Sequence, residues 1–511
     1  MKLLRVALFV FLSIVVVRAA PPASTSMPRA TPESQGVSAS AIQEFVDQAE
    51  QTIDALHSVI IVRHGRVIAE GWWQPYAANE PHMLFSLSKS FTSTAVGLAI
   101  ADGKLHLEDA VLDFFPDKAP AQPSANLKAM RIRDLLTMQT GHHDEDIRDF
   151  PFSLEGSAVA RFLQVPVAHK PGTLFVYNTP ATYMLSAIVQ KVTGQTVLEY
   201  LGPRLFEPLG IEHPTWEMSK EGVALGGFGL SIRTEDIARF GQLYLQKGMW
   251  QGRQLVPAEW VAAATSRQVS NGSSPTSDWE QGYGYQFWRA RHGFYRGDGA
   301  FGQFCLVLPQ YDTVVAITSG TRDMASVMNL VWDRLVPALK ASALPPNATA
   351  DKALATKLAA LTLPPQTESA ASSVDSAVAG QRYAFDSNPQ TIEWASIGAP
   401  ASGATTVTLH MDGTDQTITS APGAWRKSTL RFKGVDDVVA SSGGWTASDT
   451  YTLKVVRYRT PFITTYRLQF ANEDLHLTVD QNVGAPDSLT RELRGHKASD
   501  GVPRKTETSE K

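Results

Sequence analysis

Ser86 and Lys89 stand three residues apart in Phe85-Ser86-Leu87-Ser88-Lys89-Ser90-Phe91, the single Ser-x-x-Lys of the chain. A serine hydroxyl is a poor nucleophile at neutral pH and needs a base to take its proton. A lysine amine can serve once burial or a neighbouring cation depresses its pKa. The residues that follow, Thr92-Ser93-Thr94-Ala95-Val96-Gly97-Leu98-Ala99-Ile100, are small enough for neighbouring backbone to come close. They predict a tightly buried helix with Ser86 at or near its first turn. Positions i and i+3 share a helix face, so hydroxyl and amine reach the same small volume. The helix N-terminus adds free N–H groups and positive potential where negative charge would develop. The same residues also suit a serine N-cap followed by a solvated lysine, and the rest of the chain must decide between the two.

Two further stretches carry candidate chemistry. Tyr177, in Pro171-Gly172-Thr173-Leu174-Phe175-Val176-Tyr177-Asn178-Thr179, precedes a helical pattern at Tyr183. A tyrosine beside a lysine cation can lose its proton below its ordinary value of about 10 and then shuttle protons between nucleophile and leaving group. The bland alternative is a core or loop-anchoring tyrosine. In Tyr295-Arg296-Gly297-Asp298-Gly299-Ala300-Phe301-Gly302-Gln303, Gly297 and Gly299 mark either a hairpin turn or a place where another group approaches the backbone closely. His142-His143-Asp144-Glu145-Asp146 gathers metal-ligand types, but consecutive side chains diverge and no second cluster has metal spacing. We read it as a cleft-lining loop and expect no metal and no cofactor. Trp72, Trp73, Trp279 and Trp288 are read as core, with the pocket as the alternative.

The elements that must position these residues follow from periodicity. Ile42, Phe45, Val46, Ala49 and Ile53 recur at helical spacing after Ser40, and Val59 to Val62, the His64-Gly65 turn and Val67 to Trp73 read as a hairpin. Helical patterns cover 132–138, 158–163, 183–192, 197–201 and 234–245; strand-like runs return at 283–288, 293–296, 304–308 and 313–318. A closing helix carries Val327, Leu330, Val331 and Leu335 on one face. Strands at both ends with helices between predict an α+β fold: an antiparallel sheet flanked by helices, an inserted mostly helical lobe, and the serine helix at their junction.

With 511 residues the chain exceeds one typical core. Residues 38–340 are read as the large domain and Ala/Pro/Ser-rich 341–380 as a linker with a short helix near Asp351 to Leu361. The alternating short segments of 381–490 predict a small all-β domain, and 491–511 a disordered tail. A formal charge of −4 gives no support to nucleic-acid binding. Lys2, Arg5, the apolar run Val6 to Val17 and Val17-Arg18-Ala19 have the layout of a secretory signal peptide at 1–19, with an uncleaved anchor as its rival. Residues 20–37 read as a flexible lead. No later run is long and apolar enough to cross a bilayer, so we expect a periplasmic or secreted protein. Cys305, the one cysteine, leaves stability to packing.

Taken together, the three stretches in this order resemble the serine β-lactamase and penicillin-binding-protein superfamily. The likeness is to its class C-like branch of family VIII carboxylesterases, D-amino-acid amidases and 6-aminohexanoate-dimer hydrolases. Ile132-Arg133-Asp134-Leu135-Leu136-Thr137, Pro208-Leu209-Gly210-Ile211 and Gly226-Gly227-Phe228-Gly229-Leu230-Ser231 also look like this family, and the likeness covers about residues 30 to 340. The resemblance implies that Ser86 is acylated, that Lys89 activates it, and that Tyr177 is general base and then acid. It implies an oxyanion hole of the Ser86 and Ala300 N–H groups, and substrate contacts at Thr179, Gly297, Asp298 and Gly299. Two departures stand out: Thr179 replaces the usual Asn or Ser, and Gly297-Asp298 replaces Lys-Thr, removing the anchor for a substrate carboxylate. Alternation along the strand would aim Arg296 at the face opposite Gly297. We therefore expect an exported serine hydrolase of neutral esters or amides. A D,D-carboxypeptidase or β-lactamase is the second reading, and a non-catalytic cell-wall or partner-binding member the third.

Overall fold

The computed structural model describes residues 26–152, 155–432, 434–485 and 489–498, so the expected leader at 1–19 lies outside the described residues. Six strands make an antiparallel sheet: Leu56–Arg63 (β1), Arg66–Trp72 (β2), Trp288–Arg289 (β3), Tyr295–Gly299 (β4), Gln303–Leu308 (β5) and Thr313–Ser319 (β6), in the order β2-β1-β6-β5-β4-β3. The two ends of this domain meet across β1 and β6, where Ile60 faces Ala316. Both faces are covered, which is why the central strands read as unbroken apolar runs. Ile60, Val62, Cys305, Val307, Val314 and Ala316 enter one core, while Val59, Ile61, Phe304, Leu306, Val315 and Ile317 enter the other.

Ala39–Thr52 (α1), capped by Ser38 whose side chain accepts from the Ala41 N–H, covers the second core with Met324–Leu330. Ser88–Ala101 (α2), Thr179–Thr193 (α3) and Thr234–Leu245 (α4) fill the first. From Ser88 to Ala99 every residue of α2 is buried. Three of its hydroxyls donate to carbonyls of other segments: Ser90 to Gln286 (2.9 Å), Ser93 to Tyr285 (2.7 Å) and Thr92 to Gly226 (2.9 Å). Small polar side chains thus tie the helix into place where larger ones would not fit.

The run 283–288 is not a strand, apart from the pairing of Trp288–Arg289 with β4. Gln286 sits at φ 63°, and its amide donates to the carbonyls of Leu135 and Leu136 at 3.1 and 2.9 Å. A buried amide with distant partners overrides the local strand preference.

Three stretches expected to lie outside the packed domains are built into them. The supposed flexible lead packs from Met27, which is buried; Val67 donates to the Pro28 carbonyl and Ala30 donates to that of Val67. The segment covers the open edge of β2, which otherwise exposes unpaired backbone groups. Within the supposed linker, the short helix expected near Asp351 to Leu361 is Ala348–Ala359, capped by Asn347, and what differs from a linker is its packing. Leu354, Leu361 and Leu363 enter the core shared with α1, and Lys357 pairs with Asp47 (2.7 Å) and Glu50 (2.6 Å). The supposed disordered tail begins with a strand, Thr490–Lys497, paired on both sides. Its side chains are polar, and pairing by backbone left little trace in the pattern.

The C-terminal strands are Arg382–Phe385 (β7), Ile392–Ile397 (β8), Thr405–Met411 (β9), Thr414–Ser420 (β10), Arg426–Phe432 (β11), Val435–Ala447 (β12), Thr450–Val456 (β13), Ile463–Ala471 (β14), Asp474–Gln481 (β15) and Thr490–Lys497 (β16). They form one antiparallel sheet, β10-β9-β8-β7-β16-β15-β14-β13-β12-β11. Its ends approach each other: Arg431 N–H donates to the Gln416 side chain at 2.8 Å, and Ser441 Oγ to the Thr419 carbonyl at 2.9 Å. Alternate residues such as Leu409, Leu453, Leu468 and Leu477 fill the interior.

Candidate active site

Ser86 lies in the single turn Phe85–Leu87 that leads into α2, and Lys89 one turn on. The Lys89 amine, 1% exposed, is 2.9 Å from Ser86 Oγ, 3.2 Å from Thr179 Oγ1 and 2.8 Å from the Gly227 carbonyl. An ammonium has three donors, and here each has an acceptor. Burial nonetheless disfavours the charged form and pulls this pKa down to about 7, with the Asp298 carboxylate acting in the opposite sense.

Tyr177 closes the third side. The Lys89 amine lies 4.9 Å from its ring centre. Trp288 stacks on the ring at 5.3 Å and Tyr283 meets it edge-on at 6.4 Å. Burial, then the Asp298 carboxylate, hold the phenol above its ordinary range, against the pull of Ser86 and Arg296. This is opposite to the acidification expected beside a lysine cation, because an amine near 7 is half neutral at neutral pH and a buried phenolate is costly.

Asn178 caps α3, its side chain accepting from the Ala181 N–H at 2.9 Å. Thr179 therefore stands in the first turn of α3, aimed at Lys89. Its hydroxyl accepts from the Lys89 amine at 3.2 Å.

Strand β4 supplies the remaining wall, and its glycines mark a close approach of other groups to the backbone. A Cβ on Gly297 would lie 2.3 Å from Leu87 Cδ1 and 2.8 Å from Ser90 Oγ, and one on Gly299 would lie 2.0 Å from the Leu84 carbonyl oxygen. Both glycines face the nucleophile segment as bare backbone, which lets the strand approach it closely. Asp298, on the alternate face, acts electrostatically on Lys89 and Tyr177. Arg296 shares that face, its Nε 2.9 Å from the Asp298 carboxylate, and lies over Trp279 and Trp288 at 5.2 and 5.7 Å. Burial pushes the Asp298 carboxyl up, opposed by Arg296 and by hydrogen bonds from Arg296 and Trp279.

The Ser86 and Ala300 N–H groups donate to no acceptor among the described residues. Gly227 is a partner that the motif reading missed, although its signal was present in Gly226-Gly227. A Cβ on Gly226 would lie 2.7 Å from Ser186 Cβ, and one on Gly227 2.7 Å from Thr179 Cγ2, so the loop reaches Lys89 only as glycine.

His142 is buried with Nδ1 2.9 Å from Thr140 Oγ1, and burial pulls its pKa down to about 4. Among the described residues no group of three or more His, Cys, Asp or Glu could hold a metal ion. Trp73 is core, whereas Trp288 and Trp279 border the site.

An antiparallel sheet between two helical layers, with a Ser-x-x-Lys helix against its edge, is the arrangement of hydrolases related to penicillin-binding proteins. Residues 46–340 match the Beta-lactamase family. The chain belongs to that family and is a hydrolase of the serine β-lactamase and penicillin-binding-protein superfamily. It is similar to the 6-aminohexanoate-dimer hydrolase of Paenarthrobacter ureafaciens, with 25% identity over 58% of this chain and 80% of the relative. It is also similar to the lovastatin esterase of Penicillium rubens, with 26% identity over 29% of this chain and 42% of the relative. A solved Bacillus anthracis structure, proposed to be a 6-aminohexanoate-dimer hydrolase, has a TM-score of 0.51 at 19% identity and covers 63% of this chain and 89% of its own.

Proposed function

We propose that the protein cleaves an ester or amide through an acyl-enzyme on Ser86. The observation that carries this reading is the contact of 2.9 Å between Ser86 Oγ and a buried amine whose pKa is about 7. The neutral Lys89 amine takes the hydroxyl proton as Ser86 Oγ bonds to the substrate carbonyl carbon, and the oxyanion faces the Ser86 and Ala300 N–H groups. Tyr177, still protonated, gives its proton to the leaving oxygen or nitrogen as that bond breaks, and recovers one from the Lys89 ammonium. Water then attacks the acyl ester, its proton returns through the same groups, and the acid leaves with Ser86 restored.

Asp298 sets the substrate class. Where the family's lysine would hold a substrate carboxylate there is Gly297, and the next residue, Asp298, is an acid already paired with Arg296, which fits neutral esters and amides better than penicillins or peptide C-termini. The leader-like residues 1–19 support export to the periplasm or medium.

The reading is tested with a fluorophosphonate probe, a fluorescent penicillin and short p-nitrophenyl esters. Ester turnover with weak penicillin labelling is expected, and Ser86→Ala should lower turnover by about 10³-fold or more with unchanged folding. Strong penicillin labelling would replace it with a peptidase or β-lactamase reading, and absence of any labelling with a non-catalytic one.

A further inference from the structure

The turn Arg457–Phe462, which joins β13 to β14 in the C-terminal domain, reaches the nucleophile segment. Met83 N–H donates to the Arg459 carbonyl at 2.8 Å, Arg459 pairs with Glu80 at 2.7 Å, and Tyr76 OH donates to the Thr460 carbonyl at 3.0 Å. The Asn482 amide bridges the carbonyls of Pro461 and Gly320 at 2.9 and 2.8 Å, beside the end of β6. At the tip, the Phe462 ring meets Phe85 at 6.2 Å and Phe301 at 6.1 Å, and those two meet each other edge-on at 5.2 Å.

Phe85 and Phe301 hold positive φ, 48° and 68°. For bulky residues this conformation is strained and persists only where the surroundings enforce it. Phe85 immediately precedes Ser86, and Phe301 immediately follows Ala300, the two residues whose N–H groups are assigned to the oxyanion. The rings that hold the two strained residues converge on one side chain from another domain. Edge-to-face aromatic packing is of the same order as such strain, so it can hold both turns.

We propose that Phe462 is a positioning residue of the hydrolase: through Phe85 and Phe301 it fixes the two turns that aim the Ser86 and Ala300 N–H groups, so the C-terminal domain completes the active site. The inference rests on the Ser86 acyl-enzyme reading. Because the oxyanion develops only as the carbonyl is attacked, loosening the turns lowers the chemical rate and leaves ground-state binding almost untouched.

The test uses the full chain with Phe462→Ala and Phe462→Leu, read by p-nitrophenyl ester turnover and by fluorophosphonate labelling. The labelling end point counts competent molecules, and its rate reads the geometry of the site. For Phe462→Ala, kcat and labelling rate should fall about 10- to 100-fold, with KM within about twofold and an unchanged end point; Phe462→Leu should recover part of the rate. Should Phe462→Ala fail to fold, Phe462→Leu and Phe462→Tyr carry the same readouts, with the larger loss expected for the aliphatic side chain. Wild-type rates in these variants, a reduced end point at unchanged rate, or a rise in KM alone would each overturn the proposal. A wild type that neither turns over ester nor labels removes the acyl-enzyme reading and the inference with it. An active wild type beside unaffected variants removes the inference alone.

Discussion

The charge on Lys89 sets the pH range in which Ser86 can lose its proton. With its pKa near 7, the amine is protonated and unable to accept below that pH, and neutral and competent above it. The kcat/KM of ester hydrolysis should therefore rise through about pH 7 and then level. Asp298 raises this pKa, so Asp298→Asn should move the rising limb to lower pH. The positive charge left on Arg296 pushes the same way, and an unmoved limb would contradict the electrostatic link. Stability has a related sign: between about 7 and 10.5 the unfolded chain binds a proton that folded Lys89 does not. The amine therefore costs stability most below that window, and the cost vanishes as pH rises through it.

At the scale of elements, the site depends on how closely β4 approaches the segment leading into α2. The atom facing Gly299 is the Leu84 carbonyl oxygen, 2.0 Å from where a Cβ would sit, and backbone cannot rotate away as a side chain can. Gly299→Ala should push the strand off the nucleophile turn, lower kcat about 100-fold and destabilise the fold by about 1–3 kcal/mol. Gly297 faces a leucine side chain, and Gly297→Ala should be milder on both counts; thermal unfolding and ester kinetics on the pair check the order. The glycines in this run were legible as a close approach, and Ser86, Lys89 and Tyr177 as candidates for one site. The action of Asp298 on Lys89 and Tyr177 was not, because alternation places it with Arg296 but says nothing of its distance from groups on other elements. Gly227 showed only as one of a pair of glycines, because a carbonyl acceptor has no side-chain signature to name its partner.

At the scale of the whole molecule, the sheet with flanking helices and the separate all-β region could be read from periodicity, but their attachment could not. The segment 341–380 has a linker's composition, yet Leu354, Leu361 and Leu363 join a core that also holds Ala440, Val456 and Tyr458 of the C-terminal domain. These residues are far apart in sequence, and no local pattern announces a core assembled from three regions. A shared core predicts coupled unfolding. Tyr458, 6% exposed, packs into this core with the Lys427 amine 4.3 Å from its ring centre. Tyr458→Ala should cost about 3 kcal/mol, and denaturant midpoints read by loss of esterase activity and by the far-ultraviolet β signal should fall together. A shift in the β signal while activity holds its midpoint would mean that the two domains unfold independently. Coincident midpoints would mean that the hydrolase fold is held in part by a domain that carries neither Ser86, Lys89 nor Tyr177.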